Sequence, residues 1–107
     1  MTVCRFKRLG IPKKFSLHGH KVTVRIIALS KWRHSKSAIG LYNPNLHRID
    51  LRADLGDTEL QQTFCHEFVH ALLDEMNHDL SYDEKFVDNF GSLLAQALAS
   101  FDVQSKR

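Results

Sequence analysis

Residues His66-Glu67-Phe68-Val69-His70 form the pattern H-E-x-x-H. On an α-helix, positions four apart lie one above the other with Cβ atoms roughly 5–6 Å apart, so two imidazoles there can share one metal ion. Glu67 then projects from the rim of that face, where a carboxylate can take a proton from a metal-bound water. Two core-edge histidines on an ordinary amphipathic helix would carry the same letters. The elements around the pentapeptide therefore decide between the two readings, together with a third ligand.

The flanking residues favour a helix. Asp57-Thr58-Glu59-Leu60-Gln61 offers Thr58 as an N-cap with Gln61 three residues on, a capping-box pattern, and nothing breaks the helix before about Asn77. Phe64, Phe68, Ala71, Leu72, Glu75 and Met76 track one stripe at 3–4 spacing, which is expected to face the core. His66 and His70 lie on the neighbouring stripe, at the edge of the buried face, where a cleft would open.

Catalytic zinc takes three protein ligands and leaves a fourth position for water. Downstream candidates for the third are His78, Asp79, Asp83, Glu84 and Asp88. The extended pattern H-E-x-x-H-x-x-G-x-x-H would need glycine at 73 and histidine at 76, but those positions hold Leu73 and Met76. A second helix is expected from Ser81 to about Phe101, with Phe86, Val87, Phe90, Leu93, Leu94 and Leu98 on a broad apolar face. Its antiparallel return would bring Glu84 opposite His66 and His70 as third ligand, with Asp83 behind it and His78 further back. Asp88, one turn on, could accept the Nδ1–H of a ligand histidine and fix its tautomer. Ser81-x-x-Glu84 is also a capping box, which would employ Glu84 on the backbone N–H of Ser81 instead.

Strands must position these helices. Segments 15–17 and 21–29 flank His18-Gly19-His20, a tight-turn candidate, and Val22, Val24 and Ile26 alternate with Thr23 and Arg25. A basic loop over 30–37 leads to a short apolar strand over 38–42, and Asn43-Pro44-Asn45 turns the chain into a strand over 46–52. Strands first and helices later imply an α+β fold, with a small antiparallel sheet followed by two main helices. At 107 residues the chain is one domain with a single modest core, and its tail beyond Phe101 is expected to fray.

Charge is divided along the chain. Residues 1–49 contain eleven Lys or Arg and no acid, whereas residues 50–107 hold all twelve acids and four Lys or Arg. A basic layer packed on an acidic one would explain this, and so would a surface for nucleic acid or acidic protein segments, with Trp32 available to stack on a base. No run approaches the roughly 18 apolar residues of a membrane span, so no membrane association is expected. Cys4 and Cys65 do not form a disulfide scaffold, which points to a reducing, cytoplasmic compartment.

H-E-x-x-H on one helix, with Glu84 on the next followed four residues later by Asp88, resembles the gluzincin clan of zinc metallopeptidases. The chain's size looks like the minimal members, the minigluzincins. Residues 84–94, Glu84-Lys85-Phe86-Val87-Asp88-Asn89-Phe90-Gly91-Ser92-Leu93-Leu94, are similar to the second-helix pattern of the ImmA/IrrE-like metallopeptidases of phages and mobile elements. The resemblance covers residues 38–98, and residues 1–37 carry no motif of the clan. It implies a zincin-like domain with Zn²⁺ held by His66, His70 and Glu84, Glu67 as general base, and a peptide or protein as substrate. In such a mechanism Tyr82 or Tyr42, the only tyrosines, could share the negative charge developing on the substrate, and the strand over 38–42, if it is the sheet edge above the cleft, could bind an extended peptide by strand addition. Small gluzincins include latent forms. Two departures stand out: the connection from His70 to Glu84 is short, and no histidine follows Glu84 to stabilise an oxyanion. The alternative expectation is a zinc-containing, non-catalytic module that binds nucleic acid or a regulatory protein through its basic half. The SprT-like group works beside DNA, but its third ligand is a later histidine, and no histidine follows His78 here.

Overall fold

The computed structural model describes residues 4–101. A short helix α1 (Arg5–Leu9) leads into strands β1 (Lys14–Leu17) and β2 (His20–Ile27). Strands β3 (Gly40–Asn43) and β4 (Arg48–Arg52) follow, then the long helix α2 (Asp57–Glu75) and a last helix α3 (Glu84–Ala99). The class is α+β, as expected. The β1–β2 hairpin turns on His18 and Gly19, both at positive φ (50° and 80°), the pairing a two-residue turn needs to match the twist of its strands.

The sheet is mixed rather than antiparallel. Its order is β1-β2-β4-β3, and β2 pairs parallel with β4, while the two outer pairings are antiparallel. The physical cause is the long connection over residues 28–39. It carries the chain past the open edge of β2, so that β3 becomes the far edge and its hairpin partner β4 falls into the gap between them. Alternation in the sequence marks each strand's two faces, but not which strand it pairs with.

One face of the sheet is apolar. Val22 and Val24 of β2 and Ile49 and Leu51 of β4 are buried against α2, where they meet Leu60, Phe64 and Ala71. The opposite face carries Lys21, Thr23, Arg25, Arg48, Asp50 and Arg52. Helix α2 is buried on a second side too, where Val69 and Leu73 pack on Val87 of α3. The expected core stripe on α2 is therefore only part of its buried surface, and Met76 at its end is 63 % exposed. Among the described residues, no helix is long and apolar enough to cross a membrane.

Both capping boxes expected from sequence fail to form. Helix α2 starts at Asp57 after Gly56, with no side-chain cap, so Thr58 lies inside the helix. Ser81 sits in a 3₁₀ turn (Asp79–Tyr82), and Asp83 caps α3 by accepting from the Phe86 N–H at 3.0 Å. Helix α1 was not anticipated: five residues show no periodicity to read. It is fastened by Arg5, which donates to Asp57 and to the carbonyls of Ala53 and Leu55.

Candidate metal centre

Helix α2 presents His66 and His70 on one side, with ring centroids 5.0 Å apart. The first turn of α3 presents Glu84 to both. Its Oε1 lies 3.2 Å from His66 Nε2 and its Oε2 lies 3.1 Å from His70 Nε2. The three side chains offer one ligand atom each, all within 4.8 Å of one another. Tetrahedral zinc, with bonds of about 2.0–2.1 Å to nitrogen or oxygen, sets its donors about 3.3 Å apart. Two imidazoles and a carboxylate this close together form a group that could hold a metal ion.

The rival third ligands are occupied elsewhere. Asp83 is the cap of α3. His78 is exposed and accepts from the Leu80 N–H through Nδ1 at 3.1 Å. The capping role that competed for Glu84 has passed to Asp83, which frees the Glu84 carboxylate to face the histidines. Asp88 stands one turn further along α3, with Oδ1 3.4 Å from His66 Nδ1. That is ion-pair range on the ring nitrogen opposite Nε2, slightly beyond a normal hydrogen bond.

Two glycines let the elements close on the site. A Cβ on Gly91 of α3 would stand 3.0 Å from His66 Cα and 3.1 Å from its nitrogen, tighter than ordinary contact, so glycine lets α3 approach the backbone of α2 closely at the first ligand. A Cβ on Gly40 of β3 would stand 2.5 Å from Thr63 Cγ2 and 3.3 Å from Glu67 Cγ. Neither was singled out from sequence, although a glycine inside an apolar strand is itself a signal of close backbone approach.

Glu67 lies under β3 and is 8 % exposed. Burial pushes its carboxyl up to about 7; His66 and a backbone hydrogen bond from Tyr42 pull it down, and Glu84 pushes it further up. A proton acceptor poised near neutrality suits general acid–base work. The contribution of Tyr42 comes from its backbone. Its ring belongs to the core and its hydroxyl is buried without a partner. Burial first, then Asp74 and Glu75, hold that phenol above its ordinary value. Tyr82 is 86 % exposed and shares a groove of about 360 Å³ with His70 and Glu84. Neither phenol is hydrogen-bonded to a ligand side chain.

His66, Glu67, His70 and Glu84 open on a cleft of about 510 Å³ whose other wall is residues 37–41. The wall includes the free edge of the sheet. The Arg52 N–H donates to the Ile39 carbonyl at 3.1 Å, which makes 39 and 52 a hydrogen-bonded pair. By alternation, Leu41 and Asn43 also bond to β4, while Gly40 turns its backbone groups outward over the cleft and the outward N–H of Tyr42 meets Glu67. The chain's sequence and fold were compared with protein-family models, curated proteins and solved structures, and nothing matches.

Proposed function

We propose that this chain is a zinc-dependent metallopeptidase in which His66, His70 and Glu84 hold the metal and Glu67 moves the proton. The observation that carries the reading is the convergence of three ligand atoms within 4.8 Å beside a buried carboxyl that titrates near 7, on one open cleft. When bound, zinc would polarise the scissile carbonyl and make water a nucleophile near neutral pH. Glu67 would hold a proton at its buried carboxylate and pass it to the leaving amine, which its near-neutral affinity for a proton favours. Asp88 aims the His66 ring from its Nδ1 side. Gly40 and the carbonyl of Tyr42 offer the outward backbone groups that an extended peptide would pair with as an added strand. Tyr82, exposed and lining a groove with His70 and Glu84, is our choice of phenol for the developing negative charge, since the Tyr42 hydroxyl is buried. Free thiols at Cys4 and Cys65 suit a reducing, cytoplasmic compartment.

The test is hydrolysis of an unfolded protein such as casein by the zinc-loaded chain, wild type against Glu67→Gln. The reading requires that the variant keep its zinc and lose hydrolysis. Equal hydrolysis by both would overturn it. Zinc bound by both, with no cleavage by either across extended substrates, would favour a latent peptidase or the non-catalytic module.

A further inference from the structure

The second large cleft of the molecule lies on the outer face of the sheet and is basic. It measures about 550 Å³, and its charged lining is Arg25, Lys31, Arg33 and Arg48, with His34 beside them. One acid enters this region. Asp50 of β4 is 2 % exposed and is enclosed by Arg25 (2.9 and 3.2 Å), His34 (2.9 Å) and Arg48 (3.3 Å). Burial alone would raise its carboxyl, but the hydrogen bonds from Arg25 and His34 and the charges of Arg25 and Arg48 outweigh it, so Asp50 stays ionised. One anion is thus paired with the two cations Arg25 and Arg48, while Lys31 and Arg33 line the same cleft, leaving the surface positive.

The loop that completes the cleft is pinned. His34 bonds to Asp50, Trp32 sits edge-on to His34 with centroids 4.8 Å apart, and the Trp32 indole N–H donates to the Ser35 carbonyl at 3.1 Å. Arg52 donates to the Lys36 carbonyl at 2.8 Å. Lys31 and Arg33 are therefore presented from a fixed rim. Cationic character continues across the sheet, where Lys14, Thr23 and Arg48 stand at one register on β1, β2 and β4. Simple charge complementarity between the two halves does not absorb this. None of the six lysines in residues 1–49, nor Arg33, forms an ion pair with a described residue.

We infer that this basic face binds the phosphate backbone of a nucleic acid, on the side of the sheet away from the metal centre. Ile26, Ile27 and Ala28 also line the cleft, so an acidic protein segment is the competing occupant, and the poly-glutamate competition below separates it from a phosphate backbone. This sheet face offers cations and hydroxyls across three strands, which suffices for phosphate contacts that carry no sequence information. The inference does not depend on the metal centre.

Fluorescence anisotropy with labelled single-stranded DNA, single-stranded RNA and duplex DNA of about 16 nucleotides would test it, titrated at several salt concentrations. About three phosphate contacts give a slope of log K against log salt near −2 for a single strand, and loss of two contacts reduces it by about 1.4. Lys31→Gln/Arg33→Gln removes two exposed charges without touching the Asp50 cluster, and should weaken binding roughly 50-fold at about 50 mM salt. Lys7→Gln/Lys85→Gln, the same charge loss on α1 and α3, should leave the slope unchanged. The three probes identify which nucleic acid the face prefers. Equal losses in both double variants would reduce the effect to net charge and overturn the site. So would the absence of binding at low salt, or competition by poly-glutamate as effective as unlabelled oligonucleotide.

Discussion

Gly91→Ala tests the packing that joins the two ligand-bearing helices. In an exposed helix interior this substitution stabilises by about 1 kcal/mol, because alanine has the higher helix propensity. Here the new methyl would stand 3.0 Å from His66 Cα and 3.1 Å from its nitrogen. Carbon atoms in contact prefer about 3.5–4.0 Å, so the two helices must part by about 0.5 Å, and the neighbour at the contact is backbone rather than the end of a flexible side chain. Overpacking of this kind costs about 1–3 kcal/mol, which leaves a net loss near 1 kcal/mol and a fall in melting temperature of about 4–8 °C. Glu84 lies two turns earlier on the same helix, so that separation also draws the third ligand away from the histidines. Urea unfolding of the metal-free protein and competitive zinc titration read the two effects separately. Both stability and zinc affinity should drop. A stabilised variant with unchanged zinc affinity would show that the helices do not meet at Gly91, and would refute the geometry of the site.

Further outcomes follow from buried charge. In the metal-free protein the folded state holds the Glu67 proton to about pH 7, whereas the unfolded chain releases it near 4.5. Between those values the native state binds more protons, so stability should fall as pH rises, by up to about 3 kcal/mol, and Glu67→Gln should flatten the slope in pH-dependent urea melts. Asp50 behaves oppositely. Its depressed carboxyl stabilises the fold above its unfolded value near 3.8 and loses that contribution as pH falls through the lower folded value. Asp50→Asn should therefore cost about 1–3 kcal/mol at neutral pH, with the deficit shrinking in acid; a constant deficit would contradict the ion-pair account. Asp88→Asn should weaken zinc binding about tenfold, the low end for a group that orients a ligand, since its contact with His66 is long and exposed.

The helix carrying the metal pattern and a tight turn at His18-Gly19-His20 were legible from local rules, four-residue spacing in one case and a glycine between two strand patterns in the other, although His20 proves to belong to β2. The position of Glu84 opposite His66 and His70 was legible by a longer argument, from the antiparallel return of the second helix. The details around it were not. Thr58 and Ser81 each have a capping partner three residues on, yet the helix starts fell on Gly56 and Asp83, because tertiary contacts at Asp57 and the 3₁₀ turn over Asp79–Tyr82 set the chain's entry angle. The parallel pairing of β2 with β4 was hidden for a different reason. Strand alternation records burial on two faces and is silent about neighbours, and only the span of residues 28–39 bears on the crossover. The enclosed hydroxyl of Tyr42 was equally invisible, since the residue alternates inward on an edge strand whose partner and depth are tertiary facts.

The central claim is that His66, His70 and Glu84 form one metal site. Its most direct test is the zinc content per chain, by elemental analysis of protein purified without added metal, for wild type and Glu84→Ala. The account predicts about one zinc in the wild type and marked loss in the variant. No zinc in the wild type, even after it is supplied and excess removed, would contradict the metal centre and with it the peptidase reading. Full retention by Glu84→Ala would contradict the assignment of the third ligand.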